Sequence, residues 1–188
     1  MSQENVEVVR QPLAVRERSS RTLDGRVAVR FPRLADTFAR LVGRLPPTSR
    51  LRQAVLWRAA RLGLEAWNRR DLDAFQVGRL PDWEFHPARE LVEAGLLEPC
   101  YRGPAGYRDF VSSWFQVWGA DARIEPVELI DLGDRLVSLA AVPTRGQASG
   151  VPVTQKYAWV VTLKDGQVTH QQEYLDHAEA LEAVGLAE

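Results

Sequence analysis

Three histidines, one cysteine and a dense set of aromatic residues are the side chains of this 188-residue chain from which a site can be built. His86 closes the segment PDWEFHP (81–87), in which Trp83 and Phe85 alternate with Asp82, Glu84 and His86. An imidazole ionises near neutral pH, so at such a place it can take up or give a proton. Further on, Gln155, Tyr157 and Trp159 share one face of an expected strand, and His170, Gln172 and Tyr174 share one face of the next. If both faces line a cavity, they supply aromatic walls, a phenol, an amide and a second imidazole, a mixture suited to orienting a small organic ligand. Tyr101, Trp114 and Trp118 add aromatic lining. The competing reading makes Tyr157 and Trp159 core aromatics and His170 a half-exposed strand residue. His177, after Asp176, reads as surface.

Other chemistries find less support. Cys100 has no arranged His–Asp partner in sequence, so a nucleophilic role is not expected. The histidines lack ligand spacing, so no metal is expected, and no cofactor either.

These side chains need elements to position them. Leu34, Phe38, Leu41 and Val42 recur at helical spacing and predict a short helix over 34–43, stopped by Gly43 and Pro46-Pro47. Thr48 or Ser49 caps a longer helix over about 50–69 with an apolar stripe from Leu51 to Trp67. A short helix follows Asp71, a strand covers 82–86, and a helix spans about 104–119. Strands are expected at 123–131, 134–143, 152–163 and 167–175, the last two joined by a tight Asp165-Gly166 hairpin. TRGQASG (144–150) reads as a surface loop and 176–184 as a terminal helix. Residues 1–33 read as irregular or partly helical. Helices followed by a meander of strands predict an α+β fold with helices on one face of a curved antiparallel sheet. The boundary falls at about 50, giving a basic extension (1–50) and a main domain (51–188).

Composition sets the outer limits. An apolar share of 45% and a charged share of 26% are those of a globular protein. No apolar run reaches the roughly 18 residues of a membrane span, and the first residues lack the apolar centre of a secretory signal. With a lone cysteine, these features predict a soluble cytoplasmic protein without membrane association. Charge is uneven: residues 10–61 hold thirteen arginines against Glu17, Asp24 and Asp36, so a net −1 chain carries a basic arm on an acidic body. The bland reading packs this arm on its own body or a partner subunit. Thin aromatic interleaving (Phe31, Phe38, Trp57) argues against a nucleic-acid surface, though the arm leaves that open.

LEAWNRRDLDAF (64–75), PDWEFHP (81–87), YRGPAGYRDFV (101–111), VELIDLGDRLVSL (127–139) and the segment 157–186 together resemble SnoaL-like proteins of the nuclear transport factor 2-like superfamily. The resemblance covers about 51–188 and implies a cone-shaped sheet around a long helix, a pocket for a small, mostly apolar molecule, and a homodimer. It also implies cofactor-free isomerase, cyclase, dehydratase or hydrolase chemistry by acid/base catalysis, or else a non-catalytic binding or dimerisation module. In the ketosteroid isomerase pattern the base precedes a proline at the end of the first strand; here that is His86 before Pro87. The same pattern's donor positions fall on Gly63 and near Ala158, neither of which can serve. Taking Trp83 and Phe85 as inward instead turns His86 and Glu84 outward, and the two registers exclude each other.

Overall fold

Ser49 accepts a hydrogen bond from the Arg52 amide at 3.4 Å and starts the longest helix of the structure. This structure is a computed structural model that describes residues 9–12, 20–119, 122–145 and 152–186. In chain order the elements are β1 (Val9–Pro12), α1 (Leu23–Arg30), α2 (Pro32–Gly43), α3 (Arg50–Asn68), α4 (Leu72–Phe75), β2 (Arg79–His86), α5 (Arg89–Glu93) and β3 (Tyr101–Arg102), then α6 (Gly103–Trp118), β4 (Glu125–Asp131), β5 (Arg135–Arg145), β6 (Pro152–Lys164), β7 (Gln167–Tyr174) and α7 (His177–Glu182). The loop expected over 144–150 lies largely outside the described residues.

Among the described residues, one sheet runs in the order β1-β4-β5-β6-β7-β2-β3. Its pairs are antiparallel except β2 with β7, which is parallel and makes the sheet mixed. The β6–β7 hairpin turns where expected: Asp165 and Gly166 both take positive φ, 51° and 74°, the twist such tight turns require.

One face of the sheet closes on α3 and α6. Trp67, Trp83, Phe85, Tyr107, Phe110, Trp114 and Tyr157 are buried there as one cluster. Trp67 meets Trp114 edge to face at 4.8 Å, and Phe75 stacks on Tyr107 at 4.8 Å. The other face carries a smaller cluster, Ile130, Val137, Leu139 and Val160, covered by Ala180 of α7.

Within the stretch 1–33, expected to be irregular or partly helical, residues 23–30 form helix α1, and the helix expected over 34–43 is α2. Thr22 accepts from the Gly25 amide and caps α1. α2 seats its C-terminal end on the β6–β7 hairpin so closely that a methyl group on Gly43 would come within 2.6 Å of the Gly166 nitrogen. Arginines tie this segment down: Arg21 meets Asp71 at 2.5 Å, and Arg52 meets Asp131 at 2.8 Å. Arg52 also donates to the carbonyls of Gly43, Leu45 and Gly133, so one buried guanidinium joins the α2–α3 turn to the β4–β5 turn.

Candidate functional site

The elements enclose a cavity of about 600 Å³. α3 contributes Gly63 and Trp67, α6 contributes Tyr107 and Trp114, and the sheet contributes Ser138, Trp159, Val161 and Glu173. Part of the remaining wall comes from Gly25 and Ala28 of α1 and from Ala35, Phe38, Ala39 and Val42 of α2. The small residues among these leave the space that larger side chains would fill. At the rim, Asp24 of α1 and Arg58 of α3 form a half-exposed ion pair at 2.7 Å.

Strand register decides which polar groups reach this space. β5 and β6 pair Ser138 with Trp159, β6 and β7 pair Trp159 with Glu173, and β2 and β7 pair Phe85 with Gln171. Residues paired across a sheet share a face, so Glu173 and Gln171 lie on the inner side with the aromatics. Glu173 is 1% exposed. One carboxyl oxygen accepts from Trp159 Nε1 at 3.2 Å, the other from the Ala88 amide at 3.4 Å. Burial pushes its pKa up to about 8; these two bonds act against the rise and Glu90 adds to it. At neutral pH Glu173 is therefore mostly a neutral acid.

Other groups of the cavity wall are also shaped by burial. Arg79 lies over the Phe75 ring at 3.7 Å and donates to the Phe75 carbonyl. Burial lowers its pKa to about 10, which leaves it cationic. Burial also holds the Tyr107 phenol above its ordinary value, hence protonated. Among the described residues Arg79 Nε and Gln171 Oε1, which belong to residues lining the cavity, are buried without a hydrogen-bond partner. Such unpartnered groups are costly unless something else satisfies them.

The side chains singled out from the sequence are distributed differently. Trp114 and Trp159 line the cavity. Trp83, Phe85, Tyr101 and Tyr157 are core residues: Trp83 donates to Gln76 at 2.8 Å, and the Tyr101 hydroxyl accepts from the Glu98 amide at 2.9 Å. Trp118 packs against that core part-buried. Gln155 donates to the Leu175 carbonyl, Gln172 to the His86 and Pro87 carbonyls, and Tyr174 packs with the outer cluster.

His86 and His170 do not face the cavity. With Trp83 and Phe85 inward, alternation turns Glu84 and His86 outward, and parallel pairing of Glu84 with His170 puts the second imidazole beside them. The imidazole rings lie 4.5 Å apart. His86 is 3.2 Å from Glu84, whose other oxygen meets Arg102 at 3.0 Å. Burial, then the neighbouring His86, lowers the His170 pKa. Cys100 joins Glu84 and His86 with ligand-type atoms within 4.8 Å of one another, the grouping among the described residues closest to a metal set.

Reasoning from sequence missed Glu173. The face of β7 holding His170 was weighed as lining against a half-exposed strand position, whereas the partner of Trp159 is on the opposite face. Placing Trp159 inward and counting through the Asp165-Gly166 turn locates Glu173, so the signal was the hairpin register.

Residues 60–171 match the profile of the family described as SnoaL-like domain. Among solved structures, TerC co-crystallised with polyporic acid superposes with a TM-score of 0.55 at 25% identity, covering 66% of this chain and 94% of its own. An NTF2-like protein of unknown function from Burkholderia pseudomallei K96243 gives 0.55 at 23% identity, covering 68% and 95%. A SnoaL-like protein of unknown function from Burkholderia thailandensis E264 gives 0.52 at 18% identity, covering 66% and 97%. A comparison with curated proteins finds no match.

Proposed function

The chain belongs to the SnoaL-like domain family, and on that footing we propose that its cavity binds a small, mostly apolar organic molecule and moves a proton on it through Glu173. The observation that carries this reading is a carboxyl 1% exposed on the wall of an apolar cavity, held by two neutral donors. A carboxyl with a pKa of about 8 is protonated at pH 7 and can donate a hydrogen bond or a proton to a ligand oxygen. Once deprotonated, it is a base strong enough to remove a proton made acidic by an adjacent carbonyl.

Gln171, two residues before Glu173 on the same face of β7, fits beside it, and Arg79 stands farther along the wall, opposite Val168. The cationic Arg79 suits an acceptor on the part of the ligand that lies away from Glu173. Gln171 Oε1 suits a hydroxyl or amide donor. The remaining walls are Trp, Phe, Leu, Val and Ala side chains, which select a flat or bulky apolar body. The likeness to TerC, crystallised with polyporic acid, supports a small organic occupant. Isomerisation, cyclisation and dehydration of such a molecule all need this kind of proton shift.

A second reading, a binding cavity without chemistry, is favoured by one observation: Trp159 and Ala88 already satisfy Glu173 without a substrate. Deuterium uptake separates the two. Enolisable bicyclic ketones such as 2-tetralone, incubated with the protein in D₂O and followed by NMR, exchange faster with wild type. Glu173→Gln loses that acceleration by roughly 10²- to 10⁴-fold. Equal rates for both proteins across a panel of such ketones would remove the catalytic half. Binding is tested separately with an anilinonaphthalene sulfonate probe and an Ala39→Trp variant that fills the cavity from α2. Undiminished probe binding in that variant would remove the cavity as the binding site.

A further inference from the structure

The two helices that wall the cavity are apolar on the outside as well. In α2, Ala35, Ala39 and Val42 face the cavity, while Leu34 and Leu41, seven residues apart and so on one helical face, stand 67% and 58% exposed. In α1, Leu23 and Val27 are 77% and 49% exposed; Phe31 between the helices and Leu51 after them are 52% and 57% exposed. These six belong to the ten large hydrophobic side chains that are exposed among the described residues, so the outward apolar surface concentrates in one short stretch of chain.

Charge in the same stretch has one sign. Arg26, Arg30, Arg33, Arg44 and Arg50 are all exposed. The carboxylates between residues 20 and 52 are Asp24 and Asp36, and Asp24 is already held by Arg58. From these features we infer that the outer face of α1 and α2 docks on the surface of an anionic lipid bilayer. Leucine and phenylalanine side chains enter the boundary between headgroups and acyl chains, and arginines meet the lipid phosphates around them.

Charge complementarity selects this occupant over the others. A second copy meeting this face through a two-fold axis would set five exposed arginines against the same five, with a single part-buried carboxylate per copy, Asp36, left to answer them. Nucleic acid would satisfy the arginines and leave the leucines in water. The association is interfacial, because no described helix is long and apolar enough to cross a membrane. It holds whether or not the cavity is catalytic.

The test is co-sedimentation of the full chain with vesicles of phosphatidylcholine alone and of phosphatidylcholine containing phosphatidylglycerol, at low and high salt. The protein is expected to pellet with the anionic vesicles and to be released by salt. Leu34→Glu/Leu41→Glu weakens the partition by roughly tenfold or more. Arg30→Ser/Arg33→Ser weakens it by a similar factor and flattens the salt dependence. Leu23→Glu, at the most exposed of the six positions, repeats the first measurement where the double variant is poorly folded. Equal pelleting with both vesicle types, no pelleting, or pelleting indifferent to the leucine changes overturns the inference. A concentration-dependent dimer in lipid-free buffer that the same leucine changes dissolve reassigns the face to a second copy. DNA retention at physiological salt without vesicle binding reassigns it to nucleic acid.

Discussion

The body of the cone and the helical pair in front of it are held by different physics. In the body, Trp67, Trp83, Phe85, Tyr107 and Trp114 interlock with ring centroids 4.8–6.4 Å apart, and each is almost completely removed from water. In the helical pair, α1 buries no residue and α2 buries Val42. What fastens the pair is polar: Arg21 to Asp71, Arg58 to Asp24, Arg40 to Gln167, and the buried Arg52. A packed core is rigid because any gap forfeits many contacts at once. A wall held by a few charge-assisted bonds around alanines can open locally at small cost. The difference assigns stability to the body and ligand access to α1 and α2.

The largest expected effect tests the one strong joint between the two regions. Arg52→Ala leaves Asp131 buried without its partner and frees three carbonyls, so it is expected to cost about 3–5 kcal/mol in denaturant unfolding. A cost under ~1 kcal/mol would mean that the α2–α3 turn is held by something else.

The next effect lies inside the body and depends on pH. The folded-state pKa of Glu173 is raised from 4.5 to about 8. Below about pH 4.5 the carboxyl is protonated folded and unfolded alike, and its full contribution is present. As pH rises toward 8 only the unfolded chain releases the proton, so stability falls by about 1.4 kcal/mol per unit, then levels off. In Glu173→Gln that component of the slope disappears, which urea titrations at several pH values measure.

Smaller effects belong to the rim and the outer face. Asp24→Asn removes an ion pair whose side chains are 47% and 38% exposed, so the global cost is about 1 kcal/mol or less. Amide exchange in α1 is nonetheless expected to speed up while α6 stays unchanged; equal acceleration of both would erase the contrast between wall and body. His86→Ala, on the outer face, is expected to change stability by about 0.5 kcal/mol or less. It should leave cavity binding of an apolar probe as it was, and a lost cavity signal would return the imidazole to the site.

How much of this was legible in the sequence varies with the kind of signal. Helices α2, α3 and α6 and the β6–β7 hairpin follow from periodicity and turn residues, which act locally. The β2–β7 parallel pairing does not, because it joins segments almost ninety residues apart. Side-chain alternation on β2 was plain, yet alternation alone leaves both registers open; burial of Trp83 and Phe85 chooses. On β7 the inward residues are Gln171 and Glu173, so a hydrophobicity rule points the strand the wrong way. A buried carboxyl breaks the pattern that locates cores, and such breaks mark candidate sites. α1 and α2 as a cavity wall were hidden for a related reason: beside Phe38 and Val42 their inward residues are mostly alanines and a glycine, which carry little hydrophobic signal.

The central claim is that the cavity holds a carboxyl kept neutral at pH 7. Carbon-13 NMR titration of the glutamate side-chain carboxyls, with Glu173 assigned by its absence from the Glu173→Gln spectrum, measures this directly. One carboxyl, that of Glu173, is expected to show a midpoint near 8. A Glu173 midpoint in the ordinary range, about 4–5, would contradict it.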